Sequence, residues 1–363
     1  MMPCFVPTKV QKKARSLAAT SLFCFLVLTL LTQCGRNERT QIVVQGATMG
    51  TTYSVKVAGL KSQLPQTELL QKIIDGRLAD INQTMSTYID DSELQEFNRA
   101  KTNVWHIISP ELYEILNLSL DYSFNTTGAF DVTVAPLVDL WGFGPEKKGD
   151  VVPTDAEIFQ AKRRVGYDNL VLRKSDKKAS KLVDLQIDLS AIAKGYAVDE
   201  IAKIVMQMHL FDFMVEIGGE LRLSGLNAEG NRWRIGLESP TDNLEKSALK
   251  TLVLSGVGMA TSGDYRNYFE VDGKRFSHTI NPVTGTPIEH KLASVTVVAD
   301  TAVEADAMAT ALNVLGPVNG FNYAKYHKLA AYFIVREGDG FETKYTPSFA
   351  RYLEDNQSAQ AGY

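Results

Sequence analysis

The sequence predicts an α+β protein: a largely antiparallel sheet with packed helices. Three observations predict it: strand-like runs crowd the second half of the chain, two-residue turn signals join some of them, and the helices form separate, well-capped segments. Runs 213–217, 220–223, 233–237, 251–254, 268–271, 294–298 and 330–335 are enriched in β-branched and aromatic residues, the side chains that pack well on a pleated surface. Gly218-Gly219 and Asp272-Gly273 are tight-hairpin signals, and consecutive hairpins make neighbouring strands antiparallel. Among the helices, 69–85 places Leu70, Ile73, Ile74, Leu78 and Ile81 at helical spacing. Ser109-Pro110 supplies an N-cap and a first-turn proline for a helix to about Phe124. Thr154/Glu157 and Thr301/Glu304 have capping-box spacing, the second opening a helix that stops near Gly316-Pro317. A fifth helix is expected from Gly195 to about His209.

The 363-residue chain is 45% hydrophobic and 22% charged, which suits a globular protein and excludes collagen-like or disordered classes. Its cysteines, Cys4, Cys24 and Cys34, all stand near the N-terminus. Lys9, Lys12, Lys13 and Arg15 precede an uncharged apolar run over 17–31 that is short for a bilayer span and fits the core of a secretory signal. Leu31-Thr32-Gln33-Cys34 then resembles a bacterial lipoprotein signal, with Gln33 standing where a small residue is usual and Cys34 as the lipidated residue. The expected organisation is a signal peptide over 1–33, a tether over 34–45, a single large domain or two subdomains over 46–350, and a polar tail over 351–363. No cysteine follows Cys34, so the exported body is held by packing without disulfides. The chain's formal net charge is −4, and the four cations of 1–33, which holds no acid, leave the remainder at −8. That balance, without a long basic run, argues against nucleic-acid binding.

Four segments are candidates for chemistry. Asp306 and Thr310 lie four apart on one helix, a hard-oxygen pair suited to Mg²⁺; the same spacing also fits Thr310 bonding back to its own turn and Asp306 capping a neighbour. Residues 186–196 read as a strand end leading into a helix start beside Lys194, an arrangement that suits an anionic ligand or is a plain surface turn. Thr127-Gly128-Ala129-Phe130-Asp131 and the glycine-aromatic stretch Leu140-Trp141-Gly142-Phe143-Gly144-Pro145 would let a planar ligand approach backbone, or form core corners. Residues 261–266 precede Ser277-His278-Thr279-Ile280, where His278 is a candidate general base or a structural histidine. No dinucleotide-binding glycine fingerprint and no phosphate-loop motif occurs.

Taken in order, Met49-Gly50-Thr51, Gly128–Thr133, 140–144, Asp188–Tyr196, Glu216–Glu220, 261–266, Ser277–Ile280 and Ala305–Thr310 resemble the ApbE family of FAD:protein FMN transferases, from about Gly46 to Gly316. The resemblance implies an ApbE-like, T-fold-like architecture. It implies an enzyme that cleaves FAD, releases AMP and joins FMN through its phosphate to a threonine hydroxyl of another protein. The acceptors it implies are subunits of Nqr- and Rnf-type electron-transfer complexes, which places the chain lipid-anchored on the periplasmic side of the bacterial inner membrane, with the outer membrane as the alternative. Carried over by position, the Mg²⁺ ligands are the Ala191 carbonyl, Asp306 and Thr310. FAD contacts fall on Met49, Tyr88, Ala129, Phe130, Asp131, Asp188, Lys194, Thr279 and Ile280, and His278 or Asp306 takes the acceptor proton. Two other readings share these residues: a Mg²⁺-dependent FAD pyrophosphatase giving free FMN, and a non-catalytic flavin-binding lipoprotein.

Overall fold

A computed structural model of the chain describes residues 38–145, 151–238, 248–263, 268–338 and 340–354, apart from Met1. The signal segment, Cys34, most of the tail and the Asp264–Arg266 part of one motif lie outside the described residues.

The chain opens with a hairpin, β1 (Arg39–Thr48) and β2 (Thr51–Leu60), whose tight turn holds Met49 and Gly50 at positive φ. Helices α1 (Thr67–Met85), α2 (Glu93–Asn98) and α3 (Pro110–Asn125) follow, with the two-residue β3 (His106–Ile107) between the last two. Next come α4 (Ala135–Leu140), α5 (Asp155–Lys162), β4 (Leu170–Arg173), β5 (Lys178–Lys181) and α6 (Ala193–Gln207). The strand-rich half runs β6 (Phe213–Ile217), β7 (Glu220–Ser224), β8 (Trp233–Glu238), β9 (Ala248–Leu254), β10 (Val257–Gly263), β11 (Tyr268–Val271), β12 (Lys274–Ser277), β13 (Ile280–Asn281), β14 (Thr286–Pro287) and β15 (Leu292–Ala299). After α7 (Ala302–Tyr326), β16 (Ala330–Glu337) and β17 (Gly340–Tyr345) end the fold.

Eight strands form one sheet in the order β1-β2-β6-β7-β10-β15-β16-β17, antiparallel at every pairing. The expected antiparallel architecture is therefore present. Gly218-Gly219 closes the β6–β7 hairpin and Asp272-Gly273 the β11–β12 hairpin, as their positive φ values allow. One sheet face buries Val55, Val57, Val215, Val295 and Phe333 against Leu70 and Ile74 of α1, Leu112 and Leu116 of α3, Ile201 of α6 and the alanine face of α7. The other face carries Leu223, Val298, Tyr332 and Ile334 under the β8–β9 ribbon and Phe349. A smaller cluster joins Leu137 and Trp141 to Phe269, Phe276 and Ile280.

Two helix ends differ from the sequence expectation for a physical reason. α6 begins two residues earlier, because Ala193 donates its N–H to Leu189 O at 2.8 Å and the turn leads directly into the helix. The α7 region does break at Gly316, whose φ of 78° and ψ of −175° are not helical, but Pro317 then starts a second helical segment that reaches Tyr326. At Thr154 the capping box forms in full, with both the Thr154 and Glu157 halves made.

The position of α7 rests on two glycines. A Cβ on Gly195 of α6 would stand 2.5 Å from Ala302 O and 2.8 Å from Asp306 Cβ. A Cβ on Gly258 of β10 would stand 2.3 Å from Ala302 N. Backbone on both sides leaves nothing flexible to yield. Gly195→Ala and Gly258→Ala are each expected to cost about 1–3 kcal/mol in urea unfolding, while Gly219→Ala, whose Cβ meets nothing within 4 Å, shows only the smaller cost of its positive φ.

Candidate active site

The site is built where α6 and α7 meet. Thr301 caps α7, its Oγ1 accepting the Glu304 N–H at 3.3 Å. Spacing predicts that Glu304 completes a capping box; the structure instead brings Asp199 of α6 to that end, where its carboxylate accepts the N–H groups of Ala302 at 3.1 Å and Val303 at 2.9 Å. The exchange is reciprocal. Asp306 of α7 turns its Oδ2 to the start of α6 and accepts the Gly195 N–H at 2.9 Å. Each helix thus sets a carboxylate against the positive end of the other.

That bond has a consequence for Ala191. Gly195 lies four residues beyond it, and its N–H goes to Asp306 rather than to the Ala191 carbonyl. The carbonyl is left outside the helical ladder, at the helix end where the carboxylate sits. Thr310 stands one turn beyond Asp306 on the same face of α7 and is half-buried. Asn313, a further turn along that face, is fully buried and donates to Ser262 Oγ of β10 at 3.2 Å and to Thr279 Oγ1 at 3.4 Å, while its Oδ1 has no hydrogen-bond partner. Asp306, Thr310 and Asn313 therefore form one polar line on α7, leading from α6 to the turn that carries His278 and Thr279.

Lys194 sits at the Asp306 end of the line. Its Nζ lies 3.0 Å from Glu220 Oε1 and 3.9 Å from Asp306 Oδ1. Burial alone would lower the pKa of this ammonium; Asp306 and Glu220 outweigh that and raise it, so it is charged at neutral pH. Glu220 is pushed above the ordinary carboxylate range by burial, with Lys194 opposing and Asp306 adding to the rise. The Gly218 turn lies over the Lys194 stem: a Cβ there would meet Lys194 Cδ at 3.3 Å and Thr51 Cγ2 at 2.9 Å. The Met49-Gly50-Thr51 turn is thus brought beside Lys194, and Asn82 of α1 holds it from the other side by donating to Thr48 Oγ1 at 2.9 Å.

The remaining expected contacts form a neighbouring wall. Asp188 donates its N–H to Val132 O at 2.8 Å, joining its segment to the Ala129–Asp131 loop, and its carboxylate accepts the Ser190 N–H at 2.8 Å. Asp131 is turned inward: its oxygens accept from Thr133 N at 2.8 Å, Thr133 Oγ1 at 2.7 Å and Tyr167 N at 2.9 Å. Ala129 and Phe130 are likewise buried, so this loop shapes the wall more than it presents side chains. Tyr88 is 71% exposed, within electrostatic reach of Asp188 and Asp139. Ile280 is buried, and His278, one residue before Thr279, lies edge-on to Phe143 at the end of a stack through Phe269 and Phe276 to Trp141.

Three contributors escaped the sequence reading. Glu220 closes the Glu216–Glu220 motif, yet only the fold shows that it faces Lys194. Asn98 accepts the Ile187 N–H at 2.8 Å and donates to Ile187 O at 3.0 Å, acting as a substitute strand for the segment that leads to Ala191. Lys181, fully buried, donates to Asn98 O at 2.6 Å and fixes that clamp; burial lowers its pKa.

The donor chemistry fits a hard divalent cation: a buried carboxylate, a carbonyl outside the ladder and a hydroxyl one turn on. Among the described residues no group of three or more His, Cys, Asp and Glu gathers, so an ion here would take neutral oxygens beside Asp306.

The fold and this site define a class, an antiparallel α+β protein with a buried carboxylate-and-lysine cluster at crossed helix ends. The chain belongs to the ApbE family, whose profile matches residues 49–333. It is 42% identical over 326 residues to the FAD:protein FMN transferase of Haemophilus influenzae, covering 89% of this chain and 94% of that one. It is 40% identical over 343 residues to the protein of the same name from Escherichia coli K12, covering 93% and 96%. The solved flavin transferase ApbE from Vibrio cholerae superposes with a TM-score of 0.80 at 39% identity, covering 87% of this chain and 100% of that one.

Removing the crossed cap tests the frame of the site. Asp199→Ala is expected to lose about 1–2 kcal/mol in urea unfolding, the value of a helix cap. Burial raises the Asp199 pKa above 3.8 even though the Val303 and Ala302 N–H groups oppose the rise. The folded state therefore binds this proton more tightly than the unfolded chain. Its contribution to stability is largest below pH 3.8 and falls as pH rises through the raised value; Asp199→Asn should show a flatter stability profile across that window.

Proposed function

We propose that this chain is an FAD:protein FMN transferase. It cleaves the pyrophosphate of FAD, joins the FMN phosphorus to an acceptor hydroxyl oxygen, and releases AMP on the former bridging oxygen. The observation that carries this reading is Asp306 held at the α6 terminus, with Lys194 beside it and the Ala191 carbonyl outside the ladder. The relatives' shared name supports it over the whole body of the chain. The finer reading assigns Mg²⁺ to Ala191 O, Asp306 and Thr310, a threonine hydroxyl as the acceptor group, and Nqr- or Rnf-type subunits as acceptor proteins. A divalent ion in that position would neutralise pyrophosphate oxygens and stabilise the AMP leaving group.

The chain's own groups supply the rest. Lys194 offsets phosphate charge at the start of α6, whose first N–H groups favour an anion. His278, held edge-on by Phe143, takes the acceptor proton at an imidazole nitrogen as the hydroxyl oxygen attacks. Asp306 is the poorer base, because its Oδ2 already accepts from Gly195 and a cation held there would occupy its other oxygen. Tyr88, exposed near Asp188, offers a ring on which a flavin or adenine can stack. Attachment through Cys34 would keep the enzyme at the periplasmic face of the inner membrane, beside membrane-bound acceptors. Among the described residues no helix is long and apolar enough to cross a membrane.

The test mixes the purified protein, FAD, Mg²⁺ and an acceptor domain bearing a reactive threonine. Flavin fluorescence that stays on the acceptor through denaturing electrophoresis, with AMP in equal amount, is expected. Free FMN with AMP would assign a pyrophosphatase instead, and intact FAD a carrier. Asp306→Ala is expected to lower both AMP release and attachment at least 100-fold, and Thr310→Val by a smaller factor, with rates read by chromatography of AMP; magnitudes of this order follow from removing one electrostatic contact to a transferring phosphoryl group.

A further inference from the structure

Glu220 is the buried charge that the proposed reaction leaves without a task. Its side chain is 5% exposed, and it stands at the start of β7 followed by Leu221 and Leu223, which are buried apolar residues. Only one oxygen is used: Oε1 meets Lys194, while Oε2 is buried with no hydrogen-bond partner. A carboxylate buried on one contact is costly, and an apolar side chain would pack there at lower cost. What the residue does is visible in two distances. The Lys194 ammonium lies at hydrogen-bonding distance from Glu220, 3.0 Å, and just beyond it from Asp306, 3.9 Å.

We propose that Glu220 is a positioning residue that draws the Lys194 ammonium off Asp306, so that Asp306 Oδ1 stays open to a divalent cation. This rests on the reading of Asp306 as a cation ligand. Asp306 Oδ2 is committed to the Gly195 N–H, so Oδ1 is the oxygen on which an ammonium and a metal ion would compete. A lysine is needed close by for phosphate charge, yet at contact distance it would form a charge-assisted bond to that same oxygen. Glu220 resolves the conflict by giving Lys194 a nearer partner.

The experiment measures Mg²⁺ binding by calorimetry on the purified full chain without FAD, together with the crystal structure of Glu220→Gln. In the variant the amide cannot hold the ammonium as a carboxylate does. Lys194 Nζ is expected to close on Asp306 Oδ1 to about 2.8 Å, and Mg²⁺ binding to weaken about tenfold. Lys194→Met alone is expected to tighten Mg²⁺ binding, and Glu220→Gln/Lys194→Met to return it to within about threefold of the parent. Unchanged Mg²⁺ binding in Glu220→Gln, or Nζ remaining where it is while binding weakens, would overturn the positioning role and leave the cation site standing. If Glu220→Gln fails to fold, Lys194→Met decides: equal or weaker Mg²⁺ binding overturns the proposal. A parent protein that shows no Mg²⁺ binding overturns both this inference and the cation assignment beneath it.

Discussion

The crossed capping of α6 and α7 is the constraint on which the site depends. Two helix starts meet almost in contact, and each would leave buried N–H donors unsatisfied. Asp199 closes one end and Asp306 the other, and neither can do so unless the backbones approach to a distance that only Gly195 and Gly258 permit. Sterics, hydrogen bonding and charge therefore act on the same few residues. A change at any of them alters the others, because the carboxylates are oriented by the very helix ends they satisfy.

One consequence is that Asp306 holds two positions at once. As a cap it is a structural residue, the plainer of its two sequence readings. Through the Gly195 bond it also releases the Ala191 carbonyl from the helical ladder and keeps a buried carboxylate at a helix terminus that favours anions. The structure shows the capping role, and the same geometry leaves a buried carboxylate oxygen beside Lys194. The cost is a pair of buried acidic side chains around a single lysine, an arrangement that desolvation penalises unless the partners stay in contact.

The second consequence concerns reach. The polar line Asp306, Thr310 and Asn313 follows the helix repeat, so it needs only α7 to be straight over two turns. It connects the lysine end to the His278–Thr279 turn, which hangs from a separate aromatic stack. One rigid element therefore spans both ends, and the hairpin turn at Met49 is pinned to the lysine end through Gly218 and Thr51.

Local chemistry in the sequence already determined much of this. The hairpin glycines, the serine, threonine and proline helix starts and the β-branched runs each act over a few residues, so the antiparallel sheet and the main helices were legible from spacing. So was the Asp306/Thr310 pair, since four residues make one helical turn. The β1–β2 hairpin lies outside the strands expected from the sequence although Ile42–Val44 and the alternating Tyr53, Val55 and Val57 suit strands, whereas β10, with Gly258 and Gly263, carries a weak strand pattern and takes its place from neighbours. Tertiary structure alone decided that Asp199, not Glu304, completes the α7 start, that Asp131 turns inward, and that Glu220 faces Lys194. These depend on elements far apart in the chain arriving at one point, and a hydrogen bond or an ion pair has no sequence signature until that arrival is made.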